Sequence, residues 1–153
     1  MHRSPLLRLL ATFAVLGGCR ADVTAPAGPL SGRYVLVDVS GERLPSAVTT
    51  FGSATRLAIA DTLYFTSDTE GTQTSVFRNR LPSSDGPVQT VRRPFMHARD
   101  GSDIVLAFPC PDPFDGAPVG CTAAPQMRGT LSGDRITFTA AYALRTPQRY
   151  VRR

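Results

Sequence analysis

The chain has no tryptophan and no lysine, only two histidines and three cysteines, and no apolar run long enough to cross a bilayer. Each scarcity removes a class of chemistry. All 17 basic residues are arginine, so Schiff-base catalysis and an ammonium grip on phosphate are excluded. His2 stands in an N-terminal leader, which leaves His97 as the one histidine of the remaining chain and rules out a multi-histidine metal site. A hydrolytic triad would have to be built on His97, yet no serine sits in a Gly-x-Ser-x-Gly setting. A lone histidine beside Arg99 and Asp100, near a predicted hairpin, reads as a surface residue. No catalytic residue, metal ligand or cofactor is expected.

What is present is a one-domain length of 153 residues, 42% hydrophobic and 19% charged, which is a globular composition. The net charge of +5 is partly a property of the leader, because Arg3 and Arg8 lie there. From residue 19 onward 15 arginines face 12 acids, a mild excess that does not call for nucleic acid as a partner.

Residues 1–18 have the form of a secretory signal. His2, Arg3 and Arg8 supply a positive start, and residues 9–16 (LLATFAVL) supply a short apolar stretch. The ending Leu16-Gly17-Gly18-Cys19 resembles the lipobox of bacterial lipoproteins. That resemblance implies cleavage before Cys19, diacylglycerol on its thiol, and a membrane partnership through the lipid anchor. Arg20 in place of Asp after the cysteine implies, by the sorting rule of enteric lipoproteins, the outer membrane facing the periplasm. The alternative is a plain signal peptide followed by an unmodified cysteine and a secreted or cell-surface protein. Residues 19–30, rich in Ala, Pro and Gly, read as the lipidated N-terminus and a tether.

From residue 31 to 153 apolar residues recur with period two, the pattern of strands with one buried face. Ile136, Phe138 and Ala140 form one inward set, Ile104, Leu106 and Phe108 another, and Tyr34, Leu36 and Asp38 oppose Val35, Val37 and Val39. Turn signals separate the runs at Ser40-Gly41, 67–71, 99–102 and 132–134. Strands are expected near 33–39, 56–60, 62–67, 73–80, 88–96, 103–108, 126–131 and 134–142, with a ninth at 149–152, and long loops at 41–55 and 109–125. Pro94 places the 88–96 strand at an edge or a bulge. The fold class is therefore all-β, an antiparallel up-and-down meander closing into a small barrel to remove its edges, with a two-sheet sandwich as the alternative.

The stretch SGRYVLVDVSGERLP, residues 31–45, is similar to the opening hairpin of small bacterial lipoproteins whose domains are loosely lipocalin-like. The likeness implies a barrel and no particular ligand, and the Gly-x-Trp of true lipocalins is missing.

Beyond the leader, Cys110 and Cys121 form an even pair in an exported domain and are expected to close a disulfide across PCPDPFDGAPVGC. Asp112 and Asp115-Gly116 in that loop fall short of a calcium pattern and read as turn formers. Arg78, Arg80, Arg92 and Arg93 are the one basic concentration, with Phe77 and Phe95 nearby, but alternation must send Arg92 and Arg93 to opposite faces. The expected function is a noncatalytic, lipid-anchored envelope barrel that takes a small apolar or amphipathic ligand. The rival expectation is an envelope interaction protein whose outer surface meets a partner.

Overall fold

The computed structural model describes residues 30–110, 124–141 and 144–153. Ten strands follow one another: β1 (Gly32–Val39), β2 (Glu42–Arg43), β3 (Ser46–Phe51), β4 (Ala54–Phe65), β5 (Glu70–Leu81), β6 (Ser84–Asp100), β7 (Asp103–Ala107), β8 (Gln126–Ser132), β9 (Arg135–Ala141) and β10 (Gln148–Arg152). All neighbouring strands are antiparallel. β4 to β10 form a meander, β10 pairs with β1, and β1 pairs with β4, so eight strands close into a barrel while β2 and β3 remain as short additions. The barrel, rather than the sandwich, is the fold.

Three corrections to the expected strands have physical causes. The 41–55 segment is not a loop: a two-residue hairpin at Ser40 and Gly41, both with positive φ (53° and 84°), starts β2, and β3 then extends the edge of β4 above the stretch occupied by β1. Second, the runs 56–60 and 62–67 are one strand, β4, interrupted by an irregularity between Ala58 and Ala60 in its pairing with β5. The ninth strand, now β10, makes up the eight. Third, similar irregularities switch inward and outward positions elsewhere. One between Leu36 and Asp38 turns Val39 into the core and places Asp38 beneath Arg149 on the outer face. Another between Arg128 and Gly129 leaves Ala140 exposed and packs Ala141 against the core. A bulge inserts an unpaired residue, and with a side-chain period of two one extra residue reverses every later position.

The two ends of the barrel differ. At the lower end the strands are joined by short turns at 66–69, 101–102 and 133–134. There an edge-to-face chain of rings fills the interior: Tyr34 on Phe65 at 5.5 Å, Phe65 on His97 at 4.9 Å and on Phe95 at 5.3 Å. Above this plug, Leu63, Leu106, Ile136, Phe138 and Tyr150 are wholly buried. Burying each such side chain contributes roughly 1.5–3 kcal/mol, so the closed barrel rests on this layer. At the upper end lie the strand ends Ala107, Gln126, Ala141 and Gln148 and the long β5–β6 hairpin.

Candidate functional site: a seam and a polar layer

The β6–β7 ladder runs from Asp100 opposite Asp103 to Met96 opposite Ala107 and stops there. β6 continues upward to Ser84 with β5 the one strand beside it among the described residues. Pro94, opposite Thr72, thus stands on a strand with one neighbour, as its missing N–H requires. Where the two strands part, a groove of about 500 Å³ opens on the barrel's flank, lined by Phe95, Met96, Ala107 and Phe108 and by Thr66 and Glu70 beside the turn that joins β4 to β5. Its size suits a small ligand. The Phe95 and Phe108 rings meet edge to face at 5.8 Å along it, and Met96 stands exposed at its rim. Gly71 is required here: a Cβ would lie 2.3 Å from the Phe95 ring and 2.7 Å from the Tyr64 carbonyl oxygen.

Inside the barrel a polar layer lies above the apolar one. Asp61 faces inward on β4 in step with buried Leu63 and Phe65, and Gln73 and Ser75 meet it from β5. Gln73 Nε2 donates to both Asp61 oxygens at 3.1 and 3.0 Å, the Ser75 hydroxyl donates to Oδ2, and the Tyr150 hydroxyl donates to Oδ1 at 3.1 Å. Burial pushes the Asp61 carboxyl up to about 6, while the hydrogen bonds and the charge of Arg93 pull the other way. Burial, and then Asp61 itself, holds the Tyr150 hydroxyl well above its ordinary range, so it remains a donor. The signal for this layer was an acid at an inward position inside LAIADTLYF, hidden by the expectation of a break near residue 61.

Two arginines stack on aromatic rings near the barrel's rim, Arg56 half-buried and Arg93 exposed. Arg56 donates from Nε to Asn79 Oδ1 at 3.2 Å and lies over the Phe77 ring at 4.2 Å and the Phe51 ring at 5.5 Å. Arg93, opposite buried Gln73, lies over Phe108 at 5.9 Å. Arg56 was not foreseen, since nothing in its local sequence marks it as inward.

The expected basic concentration is divided. Strand 73–80 does pair with 88–96, and Arg92 and Arg93 do take opposite faces. Arg78 and Arg80, however, share Asp85 at the hairpin tip, at 3.0 and 3.1 Å. His97 is a correction: it is buried at 6% exposure rather than on the surface, because β6 runs on to Asp100 and residue 97 keeps the inward parity of Phe95. Its Nε2 meets the Ser67 carbonyl oxygen at 3.0 Å, an acceptor that assigns the proton to Nε2, and Nδ1 is buried without a partner among the described residues. Its neighbours are two phenyl rings and that carbonyl, so it belongs to the lower plug. Cys19, Cys121, Asp112 and Asp115 lie outside the described residues, and with them the lipidation site and the second half of the expected Cys110–Cys121 disulfide. Among the described residues no group of three or more His, Cys, Asp or Glu side chains converges to hold a metal.

The geometry defines a class: a small closed antiparallel β-barrel, plugged at one end by aromatic rings, with a groove on its flank where β6 and β7 part. No protein-family model matches the chain, and neither a curated protein nor a solved structure matches it.

Proposed function

We infer that the protein is a noncatalytic binding barrel of the bacterial cell envelope, anchored by lipid on Cys19 to the outer membrane on its periplasmic side, and that the seam takes a small amphipathic ligand. The observation that carries this reading is the groove of about 500 Å³ where β6 and β7 part, bordered by Phe95 and Phe108, two buried side chains of the barrel core. Burying an acyl chain there contributes about 25 cal/mol per Å² of apolar area. The Cys110–Cys121 disulfide, on this reading, pins the segment that springs from the groove wall at Pro109.

Native mass spectrometry of the exported protein, compared with its denatured mass, tests the proposal. The expected result is an added mass that disappears on denaturation and is identified as an amphiphile, or is restored by adding a dodecyl-chain compound. A bare mass that takes up no such compound would overturn it.

A second reading, an envelope interaction protein acting through its outer surface, is favoured by the edge of β6 above Met96, which pairs with no strand among the described residues. Crosslinking in cells that joins this edge to one envelope component, with the groove empty, is the outcome that would put it first.

A further inference from the structure

At the groove the local charge opposes the net charge of the chain. The chain carries +5 overall, which at long range favours anions. Among the described lining residues, however, the one charged side chain is a carboxylate, that of Glu70, and the rest are two threonines and apolar residues such as Phe95, Met96 and Phe108. Asp68, two residues earlier beside the same turn, adds a second charge of that sign.

Glu70 is fixed at its base and open at its end. Its carbonyl oxygen accepts from the Thr66 and Ser67 amides at 3.0 and 3.3 Å and from the Thr66 hydroxyl at 3.1 Å, and its own amide donates to the Ser67 hydroxyl oxygen at 3.1 Å. It pairs with Met96, which pairs in turn with Ala107, so the three stand in one row across β5, β6 and β7. Alternation with buried Gly71 sends the Glu70 side chain to the outer face, where it is exposed beside exposed Met96. The carboxylate meets no donor and no cation among the described residues.

The arginines of β6 do not cancel this charge. Arg92, on the outer face, stands opposite Thr74, four residues along β5 from Glu70. That is about 13 Å at roughly 3.3 Å per residue, beyond the screening length of about 8 Å at physiological salt. Arg93 lies over Phe108 at 5.9 Å but belongs to the inward set of β6, opposite buried Gln73, whereas Glu70 stands on the outward set of β5. An apolar tail laid in the groove strips water from the carboxylate beside it, a cost that a neutral or anionic head leaves standing and a cationic head offsets.

We propose that the groove takes a cationic amphiphile, an alkylammonium whose charge lies against the Glu70 carboxylate and whose tail lies along Phe95 and Phe108. The assignment rests on the amphiphile reading of the groove and adds the sign and place of the head group.

The test is calorimetric titration of the exported full-length protein with dodecylammonium, dodecanol and laurate, each below its micelle concentration. Dodecylammonium is expected to bind about fivefold more tightly than dodecanol, the scale of one exposed ion pair, and laurate more weakly than either, with the spread shrinking as salt is raised. Glu70→Gln, which keeps the backbone bonds of the turn, is expected to bring dodecylammonium to within about twofold of dodecanol and to leave dodecanol affinity within about twofold of the wild type. Glu70→Lys is expected to reverse the order of dodecylammonium and laurate. Equal binding of dodecylammonium and dodecanol by the wild-type protein, or a preference for laurate, would overturn the head-group assignment while leaving the groove reading intact. An ammonium preference that survives Glu70→Gln would overturn the role given to Glu70. Binding of none of the three would overturn the assignment together with the groove reading on which it rests.

Discussion

Asp61 is the residue whose environment departs furthest from its chemistry in water. Its carboxyl rises from 3.8 to about 6 because burial penalises the charge more than its three donors favour it. A carboxyl with a raised folded value holds its proton more tightly in the folded state. Its contribution to stability is therefore fullest below pH 3.8, is lost as the pH rises toward 6, and is constant above that. The loss amounts to roughly 3 kcal/mol, since each unit is worth about 1.4. Urea unfolding across pH 4 to 7 is expected to show this decline in the wild-type protein and a decline smaller by about 2 kcal/mol in Asp61→Asn. Parallel profiles would show that the carboxyl does not titrate in this window. The same residue shows how a site escapes a reading of sequence: an acid between apolar runs is normally a turn, and only the pairing with Gln73 and Ser75 makes it an inward group.

At the scale of elements, the period-two pattern identified the strands, because alternation is set by the pleat and is visible in any strand with one wet face. Ile104, Leu106 and Phe108 were placed inward on that basis and are buried. Ala140 and Val39 were misplaced because a bulge is decided by the partner strand, as at Gly129, where a Cβ would lie 2.2 Å from the Thr137 carbonyl oxygen. β3 was missed because Ser46 is buried as a polar residue, its hydroxyl bonded to Glu42 at 3.2 Å, and gives no apolar signal. The seam was legible only through Pro94. Its consequence can be measured by amide hydrogen exchange. Along residues 88–93, protected and unprotected amides are expected to alternate, since one edge of β6 faces β5 and the other faces no strand among the described residues. From Met96 to Asp100 the ladder passes to β7 while the pairing with β5 ends at Met96, so protection is expected to alternate there too, with the set facing β7 protected together with the His97 amide, which donates to the Thr69 carbonyl oxygen. Unbroken protection over 88–93 would mean that another segment or a second copy covers the edge.

For the whole molecule the difference between its ends matters most. The first described residue, Leu30, is buried in the core, and β1 begins at the lower end, where Gly32 pairs with Phe65 at the foot of β4. Arg153 returns to the same end, its amide donating to the Arg33 carbonyl at 2.9 Å. The proposed anchor is expected to behave as a separable part. Cys19→Ser should move the protein from the membrane fraction to the soluble one without changing its unfolding temperature, and unaltered membrane partition together with no acyl mass on the wild-type chain would rule the anchor out. A barrel held this way is tied down by its sealed base. Residues 19–30 extend to at most about 40 Å, enough to let the domain stand clear of a surface but attached beneath the plug. The groove, bordered by Thr66 and Glu70 beside the lower-end turn as well as by Ala107 and Phe108, would then lie along the barrel's flank, within reach of the surface to which the proposed anchor ties it.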